Sequence, residues 1–179
     1  TACSRSCSRR RRAEVSRVTF VNPMCSPSWL NTAVMRTLAQ NGVHAINTHA
    51  GHIEIHSSTI AENTFRAFNY TPDVGSARVT NSILANEAEE CDNEVTSGGW
   101  NLIDDNLADC RHFDQPTDRI DFDPSLSPLG DNGGPTLTYL PLAGSPAIDS
   151  GGDCLVDDQR GEARPADGDD DGVAVCDIG

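Results

Sequence analysis

The sequence predicts an all-β chain, in which coils of a parallel β-helix are followed by a loop-rich C-terminal cap. Three observations carry that prediction. IEIHSSTIAEN from Ile53 and ARVTNSILANE from Ala77 superpose at an offset of 24, matching Gly51 with Gly75, Ile55 with Val79, Ser58 with Ser82, Ile60 with Leu84 and Ala61 with Ala85. Periods of 20 to 50 residues mark stacked units, each of which buries its apolar face only when a neighbour covers it. The units are β-branched, alternate in polarity and lack helical periodicity, so they should stack strand on strand in parallel sheets. Finally, 37% hydrophobic residues with Gly 15, Pro 10 and 19 Asp leave few stretches for a long amphipathic helix.

The elements follow in chain order. Residues 1–12, TACSRSCSRRRR, form a basic low-complexity segment. Residues 13–103 should be the coils. The first strand is expected over Val15–Val21, where AEVSRVTFV sets Glu14 on Glu54, Val15 on Ile55, Thr19 on Thr59 and Phe20 on Ile60 at a spacing of 40, room for one intervening coil. In the Ile53 unit, Ile53 and Ile55 should point inward while His52, Glu54 and His56 share the outer face. Ser58, Ser82, Ala61 and Ala85 are small enough for the bends. From about Cys91 the repeat dissolves, and residues 104–179 read as loop chemistry with short extended pieces, a cap of the same domain that shields open strand edges.

Charge divides the chain unevenly. Of 13 basic residues, all Arg, six lie in the first seventeen positions, leaving seven against 26 acids beyond them within a net charge of −14. The acidic body should repel nucleic acid. The Arg-rich opening is either a solvated tail or a segment that binds nucleic acid, acidic lipid or polysaccharide by charge alone. No apolar run approaches the ~18 residues needed to span a bilayer. The chain opens without a basic-then-apolar leader, so a mature soluble chain or an excised fragment is expected. Seven Cys favour an oxidising compartment, and the last four fall into two sequence-local pairs, Cys91 with Cys110 and Cys154 with Cys176. Zinc is the rival reading, but only Cys3 and Cys7 have close ligand-like spacing, and neither has a His nearby. Cys3, Cys7 and Cys25 are left without an assigned partner.

DPSLSPLGDNGGPT, GSPAIDSG, DQRGEARP and CDIG, in that order, resemble the C-terminal signature of the bacterial choice-of-anchor Q domain proteins. NSILAN from Asn81 and SGGWNLI extend the likeness, which covers about Ile53 to Gly179; Trp100 stands where the family more often has Tyr, and the family continues a few residues further. The resemblance implies a right-handed parallel β-helix of the pectin-lyase-like superfamily, secreted or displayed on the bacterial surface, often followed by an anchoring module. Spacing and resemblance together, neither alone, imply disulfides Cys91–Cys110 and Cys154–Cys176. The resemblance also implies that Trp100, at the family's aromatic position, packs under the cap rather than on a sugar.

Several sets of residues bear on chemistry. DGDDDG places Asp167, Asp169 and Asp171 at alternating positions ahead of a turn-forming Gly, the ligand spacing of a calcium loop, although Ile178 stands where an EF-hand would have Glu. A bound Ca²⁺ would brace the cap; the bland alternative is a solvated acidic turn. His44, His49, His52 and His56, with Glu54, form an imidazole cluster, but His52 and His56 on one strand lie about 13 Å apart and need an adjacent coil to share a metal. Asp104 and Asp105 offer the paired carboxylates of glycoside hydrolysis, and Arg66 or Arg78 the base of a lyase, on a fold that by resemblance hosts such enzymes. The supporting Arg- and His-bearing segments of polygalacturonase-like enzymes and the Arg-Pro-Arg segment of pectate lyases are absent, so Asp104 and Asp105 read first as turn caps and only secondarily as an active-site pair. DNGGPT, Asp131 to Thr136, reads as a tight turn rather than a phosphate cradle. Only nine aromatic residues, Trp29, Trp100, Tyr70, Tyr139 and five Phe, are available for sugar stacking.

The expected function is a non-catalytic extracellular or cell-surface module, structural or adhesive, whose partner is polysaccharide or another surface protein. The alternatives are a carbohydrate-active enzyme, either a polysaccharide lyase or a glycoside hydrolase, and a calcium-braced structural spacer.

Overall fold

Short β-branched runs separated by turn residues make short strands. In the computed structural model, which describes residues 18–20, 30–33, 37–39, 46–48, 51–64, 67–70, 75–87, 95–104, 110 and 112–179, the named strands are β1 (Val18–Phe20), β2 (Leu30–Ala33), β3 (Thr37–Ala39), β4 (Ile46–Thr48), β5 (Gly51–His56), β6 (Thr59–Ala61), β7 (Phe68–Tyr70), β8 (Gly75–Thr80), β9 (Ile83–Ala85), β10 (Val95–Ser97), β11 (Leu102–Ile103) and β12 (Arg119–Ile120). They form three sheets, ordered β1-β4-β7, β10-β8-β5-β2 and β12-β11-β9-β6-β3, and every pairing within them is parallel. From β1 to β9 the chain visits the three sheets in rotation, then continues in the last two. Among the described residues there is no helix, and none is long and apolar enough to cross a membrane. The sheets do not close into a continuous solenoid.

The repeat read from the sequence is the register of the sheets. Gly51 lies opposite Gly75, Ile55 opposite Val79, Ile60 opposite Leu84 and Ala61 opposite Ala85, and the Ser58 N–H donates to Ser82 Oγ at 3.2 Å. The fainter alignment at a spacing of 40 is not the register. Thr19 pairs with Asn47 and Phe20 with Thr48 in the three-stranded sheet, and the place beside Ile55 belongs to Ala33. A three-residue strand carries too little alternation to fix its own partner.

Period-2 alternation then builds one core. Ile53, Ile55, Ala77, Val79 and Val95 from the four-stranded sheet meet Ile60, Leu84 and Ile103 from the five-stranded sheet and Ile46 and Phe68 from the three-stranded one. Each large aliphatic chain buried here contributes roughly 1.5–3 kcal/mol. Crossing from the four- to the five-stranded sheet takes a sharp bend, made with a left-handed residue: Ser57 (φ 47°), Asn81 (φ 50°) and Trp100 (φ 54°) in successive units. Asn tolerates this region, and the polar groups buried at the bend bond to one another. Asn81 Nδ2 donates to Ser57 Oγ at 3.1 Å, and Asn101 Nδ2 donates to Ser97 Oγ at 2.9 Å and to the Val79 carbonyl at 3.0 Å.

The five-stranded sheet is apolar on both sides. Ile83 and Leu102, one residue out of phase with the inward Leu84 and Ile103, are buried against Ala147 and Ile178, while Ala39 and Ala61 meet Tyr139. Leu126, Leu129, Tyr139, Ala147 and Ile178 from the C-terminal region therefore cover the outer side of this sheet. Within that region only isolated antiparallel bridges occur, at Leu126–Pro141, Gly130–Thr138, Asp157–Ala163 and Ala166–Val175. Cys154 and Cys176 are joined by a disulfide, as expected. Cys110 is also disulfide-bonded; its expected partner Cys91, with Cys3, Cys7 and Cys25, lies outside the described residues.

Candidate functional site

The acidic turn after Ala166 folds back on the bend at Asp149. Carboxylate oxygens of Asp149, Asp167 and Asp169 lie within 4.8 Å of one another. Two ligands of one Ca²⁺, each at about 2.4 Å, are at most about 4.8 Å apart, and the pairwise separations here meet that condition. Asp171, the third carboxylate of the sequence motif, is turned away: its Oδ1 accepts the Val173 N–H at 2.7 Å, and its own N–H donates to Asp167 and Asp169. Asp149 takes its place.

Local hydrogen bonds fix the geometry. The Gly168 N–H donates to Asp149 Oδ2 at 3.1 Å, the Gly172 N–H donates to Asp167 Oδ2 at 2.9 Å, and the Asp149 N–H donates to Asp177 Oδ1 at 2.9 Å. Asp149 Oδ1 is buried and, among the described residues, is the one side-chain polar atom in such a position without a partner. An orphaned anionic oxygen carries a desolvation cost of about 1–3 kcal/mol or more. Asp177, next to it, is raised above the ordinary carboxylate range by burial, with the Asp149 charge adding to the shift and the Asp149 N–H, Arg164 and Arg160 opposing it. The donor set is hard oxygen throughout, which suits Ca²⁺ rather than a softer metal.

The chain matches no family model, no curated protein and no solved structure. Its site is therefore read from its own residues.

The other candidates disperse. Arg78 is exposed on the outer face of the four-stranded sheet, opposite Glu54, whereas Asp104 follows β11 in the five-stranded sheet and its N–H donates to the Leu84 carbonyl at 3.2 Å. Asp105 and Arg66 lie outside the described residues, as do His44 and His49. His52 and His56 do share the outer face, half-buried, but each uses Nδ1 locally: His52 with Ser76 Oγ at 2.8 Å, His56 with Ser57 Oγ at 2.9 Å. His52 Nε2 stands 3.8 Å from Glu54 Oε1. Among the described residues, no imidazole belongs to a group of three potential metal ligands.

The turn-rich motifs of the C-terminal region bond chiefly to one another. DNGGPT is a tight turn, with the Gly133 N–H on Asp131 Oδ1 at 3.2 Å and Asn132 Nδ2 donating to the Thr138 carbonyl at 2.7 Å. Gly134 (φ 84°) lies against the Arg160 backbone, where a Cβ would stand 2.6 Å from Cα. Arg160 bonds Asp158 through Nε and its own N–H, at 2.6 and 2.8 Å. Burial alone would raise Asp158, but the N–H of Glu162 and the Arg160 side chain and N–H outweigh it and hold the carboxyl below its usual range. Trp100, 39% exposed, packs its ring on Gly152. Between the C-terminal region and the sheet remains a cavity of about 150 Å³, lined among others by Thr37, Thr59, Tyr139, Arg160 and Arg164. Tyr139 donates to Glu62 Oε2 at 2.8 Å, and burial with that bond pushes its phenol well up.

Proposed function

We propose that this chain is a non-catalytic structural module of an extracellular or surface-displayed protein, of the choice-of-anchor Q type, with its coils arranged as a parallel β-helix and its C-terminal region braced by Ca²⁺. The coil reading is supported by three parallel sheets visited in rotation. The Cys154–Cys176 disulfide is consistent with an oxidising location.

The observation that carries the calcium reading is the convergence of the Asp149, Asp167 and Asp169 carboxylates, with oxygens within 4.8 Å of one another; Asp149 also keeps its buried Oδ1 without a partner. Three converging anions repel one another, and a divalent cation converts that repulsion into a cross-link between the Asp149 bend and the 167–169 turn. Such an ion acts structurally: Asp149 precedes the stretch that packs on Trp100, and Asp167 and Asp169 sit inside the Cys154–Cys176 loop.

The test is thermal unfolding of the oxidised protein in millimolar Ca²⁺, in Mg²⁺ and in EDTA, with Asp149→Asn and Asp169→Asn alongside. At a Ca²⁺ concentration of 100 times Kd, binding stabilises by about 2.7 kcal/mol, several degrees in Tm for a chain of this size. Calcium should raise Tm selectively in the parent and in neither variant. Equal Tm in Ca²⁺ and EDTA refutes the brace.

A further inference from the structure

The outer face of the four-stranded sheet carries a second, separate pair of metal-type ligands. His52 and Glu54 are two residues apart on β5, so both side chains leave the sheet on the same side. His52 Nε2 lies 3.8 Å from Glu54 Oε1, and the side chains are 38% and 41% exposed, within reach of a second molecule. The ring is already oriented, because Nδ1 meets Ser76 Oγ at 2.8 Å across the β5–β8 pairing. A hydroxyl accepts as well as donates, so this contact suits the tautomer with the proton on Nδ1 and the lone pair on Nε2, beside Glu54. The carboxylate is not drawn off by an arginine. Arg78 stands opposite Glu54 in the register, but its side chain reaches the backbone just past β10, where a Cβ on Gly98 would lie 3.2 Å from Nε. Imidazole nitrogen with carboxylate oxygen is a zinc donor set, and a tetrahedral ion with ligands at about 2.0–2.2 Å places two of them about 3.4 Å apart. A small turn of the exposed Glu54 carboxylate closes the gap to that distance. Two ligands are half of a tetrahedron, and among the described residues no third His, Cys, Asp or Glu is placed to join them.

We propose that this face is a zinc-dependent contact between two copies of the chain, with one Zn²⁺ held by His52 and Glu54 from each. A two-fold axis through the ion sets the pair against itself, as an isologous interface requires. The neighbouring outward side chains of β8 and β10, Ser76, Thr80 and Thr96, are short, which lets the two faces approach. Each chain has a formal charge of −14, so copies repel one another without the cation and the contact follows the metal. The inference goes beyond the structural role proposed above and is independent of the calcium brace, whose all-oxygen ligands belong to the outer layer over the five-stranded sheet.

The experiment is sedimentation velocity of the full oxidised chain, free thiols alkylated, above the ordinary imidazole titration range. Millimolar Ca²⁺ is present to compete for the acidic turn, and Zn²⁺ is titrated in and then withdrawn with EDTA. Zinc should convert monomer to dimer at one ion per two chains, reversibly. His52→Ala and Glu54→Gln should each raise the zinc concentration required by about tenfold or more, and Ser76→Ala, which frees the ring, by about tenfold. His56→Ala, on the same face but with Nδ1 held by Ser57, should leave it within about twofold. On the parent chain alone, zinc should shift the imidazole resonances of His52 and not those of His56, which tests the site even where a variant folds poorly. A chain that stays monomeric in zinc, whether or not it binds the ion, overturns the proposal. Dimer formation that survives the loss of both His52 and Glu54 overturns it too.

Discussion

Asn81 joins the coils to the outer layer, and replacing it should destabilise the protein by breaking bonds to both at once. The residue is fully buried at φ 50°. Its Nδ2 donates to Ser57 Oγ at 3.1 Å and the Asp177 carbonyl at 3.2 Å, and its Oδ1 accepts the Gly152 N–H at 2.9 Å. Asn81→Ala removes three hydrogen bonds at about 1 kcal/mol each and places a non-Gly, non-Asn residue in the left-handed region at about 1 kcal/mol more. The expected loss is about 3–4 kcal/mol. Asn81→Gly removes the same bonds without the backbone penalty, so it should cost about 1 kcal/mol less than Ala. Urea denaturation followed by circular dichroism gives both values by linear extrapolation. A loss below 1 kcal/mol for Ala, or a Gly variant no better than Ala, would refute the argument that the side chain and the bend act together.

Further outcomes follow from the same contacts. Leu84→Ala, in the inner core, should cost about 2–5 kcal/mol and Ile178→Ala, on the outer side, a comparable amount; urea denaturation measures each, and a free substitution at Ile178 would mean the outer layer is not packed. Gly152→Ala drives a methyl into the Trp100 ring, 2.6 Å away; Tm should fall and tryptophan emission should move red. Because the folded-state pKa of Asp177 lies above its unfolded value, the folded form binds the proton more readily, and this group favours folding increasingly as pH falls from neutrality toward the ordinary Asp range. Asp177→Asn should flatten that part of a stability-against-pH curve; an unchanged curve would show that Asp177 is not the group responsible.

The part of the fold legible in the sequence was the part with repeated chemistry. The Ile53 and Ala77 units carry six-residue strands of alternating polarity, and such strands declare both their register and their inward face. β2 and β3 escaped notice because LNTA and TLA are short and mixed in polarity. The outer covering of the five-stranded sheet left a trace in the consecutive apolar pairs Ile83–Leu84 and Leu102–Ile103, since a strand buried on both faces loses its alternation. Of the acidic site, Asp167 and Asp169 were visible through local spacing. Asp149 was not, because a fold-back turn brings it in from eighteen positions upstream, and the same turn diverts Asp171 to a backbone N–H.

One property of the five-stranded sheet bears on how such a chain can change length. Ile60, Leu84, Ile103 and Ile120 occupy one inward row, yet the steps between them are 24, 19 and 17 residues. The sheet holds its row by pairing, while the intervening chain absorbs the difference outside the strands. Pairing rather than residue count therefore sets which side chain comes next in the row, so units of unequal length can share one unbroken inward face from Ile60 to Ile120.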